Sequence, residues 1–221
     1  MIADLRTRLL QGEPLFGTLI SLPSAEVVAT LAAMGFDWLF LDGEHGPIEP
    51  RTLRQMLRAA GSTPCLVRTP SGDDAAVGQA LDAGAAGVII PQVHDGAQAA
   101  RVAALAANRE TIVVVQAESA SAVQCIDAMA RAPGVDAVLV GPNDLAASLG
   151  HPGAIDHPEV RAAIGRVFAA CRAAARPVGI FGIDAAAARP WVEQGATLVV
   201  VGVDTVLLRQ SARALLVALR E

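Results

Sequence analysis

The sequence contains no lysine: all 17 of its basic residues are arginine. A Schiff base needs a lysine amine, so lysine-dependent aldol chemistry and the related pyridoxal-phosphate chemistry are excluded. Cysteine is scarce as well. Cys65, Cys125 and Cys171 are odd in number, far apart and form no CxxC pair, which points to buried reduced thiols, not to disulfides or a thiolate metal site. The net charge is −5 and no basic cluster interrupts it, which argues against nucleic acid as a partner. No apolar run approaches the roughly 20 residues of a membrane span. The opening Met1-Ile2-Ala3-Asp4-Leu5-Arg6 lacks the apolar core of a signal peptide. These absences predict a cytoplasmic protein with no membrane partner. No GxGxxG opens a helical stretch, and no nucleotide cofactor is expected.

What is present is a repeating pattern. The chain has 221 residues, 53% hydrophobic and 18% charged, which excludes disorder and suffices for one good core. After an opening amphipathic helix over 2–11, a strand is expected at Leu15–Ile20, and then a helix capped by Ser24 and ended by Gly35. Further strands rich in Val, Ile and Leu are expected near 38–42, 65–69, 87–92, 111–117, 137–141, 177–182 and 198–202. Helices are expected at 50–60, 73–83, 95–107, 119–131, 157–175, 184–194 and 205–220. Continuous apolar strands alternating with helices imply a parallel sheet covered on both faces. Eight of them predict an α/β fold, a (β/α)8 TIM barrel, over a single domain spanning 1–221. A doubly wound open sheet is the alternative.

In a barrel, polar residues that close strands gather at one mouth. Trp38-Leu39-Phe40-Leu41 runs into Asp42-Gly43-Glu44-His45-Gly46-Pro47, which presents an acid and an imidazole beyond a strand end. A histidine titrating near neutrality, with Asp42 to fix its tautomer, suits His45 for general-base work; a pair of loop hydrogen bonds is the plainer reading. Arg68 closes the third strand as an anion binder or as a structural cation. Gln116 and Glu118 lie two apart on one face of the fifth strand. Glu118 has a plain reading too, as the first-turn acid of the next helix. Asp144, after Gly141-Pro142-Asn143, reads as a second carboxylate or as a helix N-cap. Two such carboxylates with a Gln and an Asn make an oxygen-rich set suited to Mg²⁺ or Mn²⁺, with Co²⁺ as a further candidate, and unsuited to zinc. His94 follows the fourth strand, His151 and His157 flank a Pro/Gly-rich loop, and Asp82 sits at a helix end.

The motifs LDGEHGP, VRTP, GVIIPQV, VVVQAES, GPNDLAASLG and VGVDT stand in this order along nearly the whole chain. Together they resemble the HpcH/HpaI aldolases, class II enzymes that depend on a divalent metal and pyruvate. The resemblance implies a (β/α)8 barrel that cleaves 4-hydroxy-2-oxo acids reversibly to pyruvate, or a related 2-oxo acid, and an aldehyde, through a metal-stabilised enolate. It implies Glu118 and Asp144 as metal ligands, and His45, held by Asp42, as a base acting through water. Arg68 would hold the keto oxygen and Gln116 would support substrate and metal. The backbone amides of Asn143 and Asp144 would take the carboxylate.

Longer members of that family carry an extra Arg/Gly-rich loop between strands four and five, where this chain has only the helix from Asp95 to about Ala107. A lyase acting on acyl-CoA, of the citrate-lyase β-subunit type, is an alternative, although no basic groove for the CoA phosphates is visible. A non-catalytic binder of metal or 2-oxo acid is another. The helix at 205–220 is apolar around more of its circumference than a single stripe. One face is expected to cover the barrel and the surplus to meet a neighbouring subunit. The resemblance implies a homo-oligomer, a hexamer, in which Asp82 reaches a neighbour's active site.

Overall fold

The computed structural model describes residues 2–107 and 110–220. Eight parallel strands, β1 (Leu15–Ile20), β2 (Trp38–Asp42), β3 (Cys65–Arg68), β4 (Gly87–Ile90), β5 (Ile112–Ala117), β6 (Ala137–Val140), β7 (Val178–Gly182) and β8 (Leu198–Val203), pair in sequence order and close, β8 returning to β1. Helix α1 (Ile2–Leu10) precedes the barrel. The covering helices are α2 (Ala25–Ala32), α3 (Pro50–Ala59), α4 (Asp74–Asp82), α5 (Gly96–Ala104), the short pair α6 (Ala120–Gln124) and α7 (Ile126–Ala130), α8 (Pro142–Ser148), α9 (Pro158–Ala173) and α10 (Ala185–Glu193). The final helix is α11 (Asp204–Ala218).

Strand parity sorts the core into two parts, because successive residues face opposite sides of a strand. Trp38, Phe40, Leu66, Ile89, Ile112, Val114, Leu139, Leu198 and Val200 fill the barrel interior, and Leu5 and Leu9 of α1 join them. The intervening residues, Leu39, Leu41, Val67, Val88, Ile90, Val113 and Val115 among them, pack outward against the helices. Gly17 makes room for the largest interior ring, since a Cβ there would stand 2.5 Å from the indole of Trp38. Continuing the inward parity one step past the apolar layers gives Asp42 after Phe40, Arg68 after Leu66, and Gln116 after Val114. The barrel interior therefore ends, at the C-terminal side of its strands, in polar side chains.

Two sequence expectations change. The helix expected over 119–131 is broken at Cys125 into α6 and α7. The last helix does not cover the barrel with one face: of its described residues only Asp204 is buried, while Leu208 (57% exposed), Leu215 (68%) and Leu216 (52%) lie open. Asp204 fastens its start by accepting from the backbone N–H groups of Ser21 and Leu22 and from the Ser21 hydroxyl. Leu207, Leu208 and Ser211 still border a cavity with Val27 and Leu31 of α2, and the residues farther along stand open.

Candidate active site

Asp42 and Arg68 face each other in the β2–β3 ladder. The arginine fork donates to the carboxylate twice, Nε to Oδ1 at 2.9 Å and Nη2 to Oδ2 at 2.6 Å. Both side chains are buried. Burial opposes charge on each, but the bidentate bond outweighs it, so the Asp42 carboxyl is held below its ordinary range and the Arg68 guanidinium above its own. Asp42 Oδ1 also accepts from the backbone N–H groups of Glu44 and His45 at 3.1 Å, pinning the loop that follows β2. That loop packs tightly: a Cβ on Gly46 would run into the carbonyl oxygen of Asp42.

The expectation that Asp42 orients the His45 ring needs correction. His45 Nδ1 is 3.8 Å from Asp42 Oδ2, whereas Arg68 Nη2 lies 2.7 Å from that nitrogen. The guanidinium, directly across the ladder and matched in shape to a carboxylate, takes the acid for itself. Arginine can only donate, so Nδ1 accepts and the imidazole is neutral, with its proton on Nε2. The His45 side chain is 61% exposed, at the mouth.

Glu118 lies beyond β5, one step past the end of the strand. Its Oε1 accepts from the backbone N–H of Gln92 at 2.7 Å and its Oε2 from Gln116 Nε2 at 2.6 Å. The plainer reading, a first-turn acid, is set aside by this geometry: Ser119 is the N-cap of α6, accepting from the Ala122 N–H, and Glu118 turns into the mouth. Burial pushes the Glu118 carboxyl up to about 7, the nearby Glu44 and Asp144 carboxylates add to the rise, and the Gln92 N–H and Arg68 oppose it. Asp144 is not an N-cap either. Gly141 occupies that place and Pro142 begins α8, which leaves Asp144 in the first turn. Asn143 and Asp144 line a cavity of about 240 Å³ with His45, Arg68, Gln116 and Phe181.

Glu44 belongs to the same cluster, although the sequence reading gave it no role. Its Oε2 is 3.2 Å from Arg68 Nη1, and its Oε1 accepts from Gln92 Nε2 at 3.2 Å. Its place between Asp42 and His45 was the available signal. Gln116 Oε1 is buried with no hydrogen-bond donor among the described residues, and Glu44 Oε2 has only its ion pair with Arg68. A buried oxygen left over beside a carboxyl held at about 7 fits a set of oxygen ligands for a hard divalent cation.

The other candidates lie apart. His94 Nδ1 is shared with the Ser119 and Ser121 hydroxyls at 3.2 Å. His151 and His157 stack face to face, ring centroids 3.6 Å apart, with His151 Nε2 2.8 Å from Glu159. One nitrogen of each ring and a Glu159 oxygen lie within 4.8 Å of one another, and the stack with the His151–Glu159 contact fastens the α8–α9 loop. Asp82 ends α4, and α4 runs from the mouth back to the start of β4. It therefore sits at the opposite end of the barrel from His45 and Glu118.

A (β/α)8 barrel whose mouth gathers Asp42, Glu44, His45, Arg68, Gln116, Glu118 and Asp144 defines a class: barrel enzymes that work on small oxygen-rich molecules. A sequence model described as HpcH/HpaI aldolase/citrate lyase matches residues 16–211, and the chain belongs to that family. It is 37% identical to the hydroxypyruvate/pyruvate aldolase of Chromohalobacter salexigens, over 92% of each chain. It is 35% identical to the 5-keto-4-deoxy-D-glucarate aldolase of Salmonella newport, over 88% of each. The crystal structure of a family protein from Burkholderia cenocepacia superposes with a TM-score of 0.96 at 36% identity, covering 99% of this chain and all of the other.

Proposed function

We propose that this protein is a divalent-metal-dependent aldolase, a carbon–carbon lyase that cleaves 4-hydroxy-2-oxo acids reversibly to pyruvate, or a related 2-oxo acid, and an aldehyde. The observation that carries the reading is the arrangement at the mouth: a buried arginine clamped by Asp42, facing an unneutralised carboxyl set, in a chain without lysine. Glu118 and Asp144 would hold the ion, Mg²⁺ or Mn²⁺ by the hardness of their oxygens, with Gln116 in support. A divalent ion there supplies the Lewis acidity that a lysine would otherwise replace.

The chain's own residues do the rest. Arg68, its Nε engaged with Asp42, offers Nη2 to the keto oxygen. That oxygen competes with His45 for the guanidinium and releases the imidazole, already neutral, to take the proton of the C4 hydroxyl, directly or through water. Negative charge developing on the keto oxygen as C3–C4 breaks is met by a cation that Asp42 and burial hold fixed, so little reorganisation accompanies the step. Asn143 and Asp144, in the first turn of α8, line the same cavity, and their backbone amides would receive the substrate carboxylate.

Release of pyruvate from 4-hydroxy-2-oxo acids, assayed against malyl- and citramalyl-CoA with and without EDTA, tests the reading. Activity on the oxo acids is expected to vanish on chelation and to survive borohydride in the presence of pyruvate. Full activity after exhaustive chelation would overturn it.

The exposed apolar face of α11 supports a homo-oligomer, in our reading a hexamer, in which that helix packs on another copy. Asp82, remote from its own mouth, would then serve a neighbour's. Free, buried Cys65 and Cys171 suit a reducing compartment, which we take to be the cytoplasm.

A further inference from the structure

Gln92 follows β4 and has a backbone φ of 55°, in the left-handed region that a residue with a Cβ seldom occupies. Its neighbours Ile90 and Val93 are both locked in the outer core. Between them Gln92 spends three of its polar groups on the mouth or its support. The backbone N–H donates to Glu118 Oε1 at 2.7 Å, the side-chain amide donates to Glu44 Oε1 at 3.2 Å, and the carbonyl accepts from Gln98 Nε2 at 3.3 Å. Gln98 is in turn held by Asp95, which accepts from its N–H, and by the His94 N–H, which it accepts. One residue thus bridges carboxylates that belong to two different loops.

We propose that Gln92 is a positioning residue: its left-handed turn and its amide together set the spacing of Glu118 and Glu44, so that an ion at Glu118 meets that carboxylate with Glu44 held beside it. The inference rests on the metal reading of the site. Groups that orient metal ligands typically change affinity about 10- to 100-fold when removed. A merely structural turn would behave differently, since glycine would relieve it and ion binding would not move.

The test is direct titration with Mn²⁺ in the absence of substrate, following free Mn²⁺ by electron paramagnetic resonance, together with thermal midpoints of the metal-free protein. Gln92→Met, which keeps the length and loses the amide, is expected to weaken Mn²⁺ binding about tenfold at an unchanged midpoint. Gln92→Gly keeps the turn and the N–H on Glu118 and is expected to match Gln92→Met. Gln92→Val, β-branched and ill-suited to the turn, is expected to bind more weakly than either. On a Glu44→Ala background Gln92→Met should add less than twofold, because its effect runs through Glu44. Binding within twofold of wild type in both Gln92→Met and Gln92→Gly overturns the proposal. So does an undiminished tenfold loss on the Glu44→Ala background. If wild type itself binds no Mn²⁺, or Glu118→Gln binds as well as wild type, the metal reading has failed and the positioning role goes with it.

Discussion

At the scale of single residues, His45, Arg68 and Glu118 divide the work by their protonation. On the proposed mechanism the His45 ring is the base, so His45→Ala should cut aldol cleavage by about 10²- to 10⁴-fold while leaving pyruvate binding nearly intact. Near-normal cleavage in that variant would reduce His45 to a loop residue. Arg68→Ala should damage binding and turnover together, because its charge meets the keto oxygen before and during bond breaking. Glu118 makes a pH prediction. Between its ordinary 4.5 and about 7 the unfolded chain has lost this proton and the folded chain keeps it. The folded state then binds more protons, so the metal-free protein loses stability as pH rises through that window, by about 3 kcal/mol in all. An ion must displace the same proton, so Mn²⁺ affinity should fall about tenfold per pH unit below 7 and level off above it. Calorimetry at pH 6 and pH 8 in two buffers checks this, and an affinity flat across that range would refute it.

At the scale of elements, the loop between β2 and α3 depends on two features of the DGEHG motif. Asp42 gathers four donors, two from Arg68 and two from the loop backbone. Asp42→Ala leaves the buried guanidinium with Glu44 as its remaining carboxylate beside the His45 contact, and removing one partner of a buried pair typically costs about 3–5 kcal/mol. We expect a loss near the lower end, read by urea denaturation, since Glu44 compensates in part. Gly46→Ala should displace the loop without touching any charged group, lowering turnover while the Asp42–Arg68 clamp stays intact. A variant with wild-type kinetics would show that the loop tolerates the shift.

At the scale of the whole molecule, α11 is the unsolved surface of a single copy. Leu207 and Leu208 border a cavity of about 290 Å³ shared with Val27 and Leu31 of α2, and Leu215, Leu216, Val217 and Leu219 stand open farther along. Exposed apolar faces of this kind mark interfaces, and the proposed oligomer would cover this one. Light scattering at micromolar concentration should give the mass of a hexamer. Leu215→Arg with Leu216→Arg should break it down, and a single-chain mass for the wild type would sink the idea. If the neighbour's mouth uses Asp82, Asp82→Ala in an intact oligomer should change aldehyde selectivity and leave Mn²⁺ affinity alone.

The sequence by itself determined the barrel. Eight apolar strands alternating with helices call for a parallel sheet covered on both faces, with a closed barrel preferred over an open doubly wound sheet, and the observed strand limits fall within two residues of those expected. It also determined the chemistry on offer, because the absence of lysine and the polar residues closing β2, β3 and β5 are facts of composition and parity. What it left open was which partner each polar group takes. Asp42 is three residues from His45 in the chain but pairs with Arg68, 26 residues away, because the β2–β3 ladder sets them opposite and a guanidinium binds a carboxylate more strongly than a neutral ring does. Glu44 and Gln92 were silent for the same reason: their roles arise from contact between loops 48 residues apart. The fate of α11 was decided by tertiary structure too. Its start is pinned by Asp204 to the end of β1 and its next turn lies beside α2, while Leu215, Leu216 and Val217 stand open, an outcome that depends on where the helix runs and not on its composition.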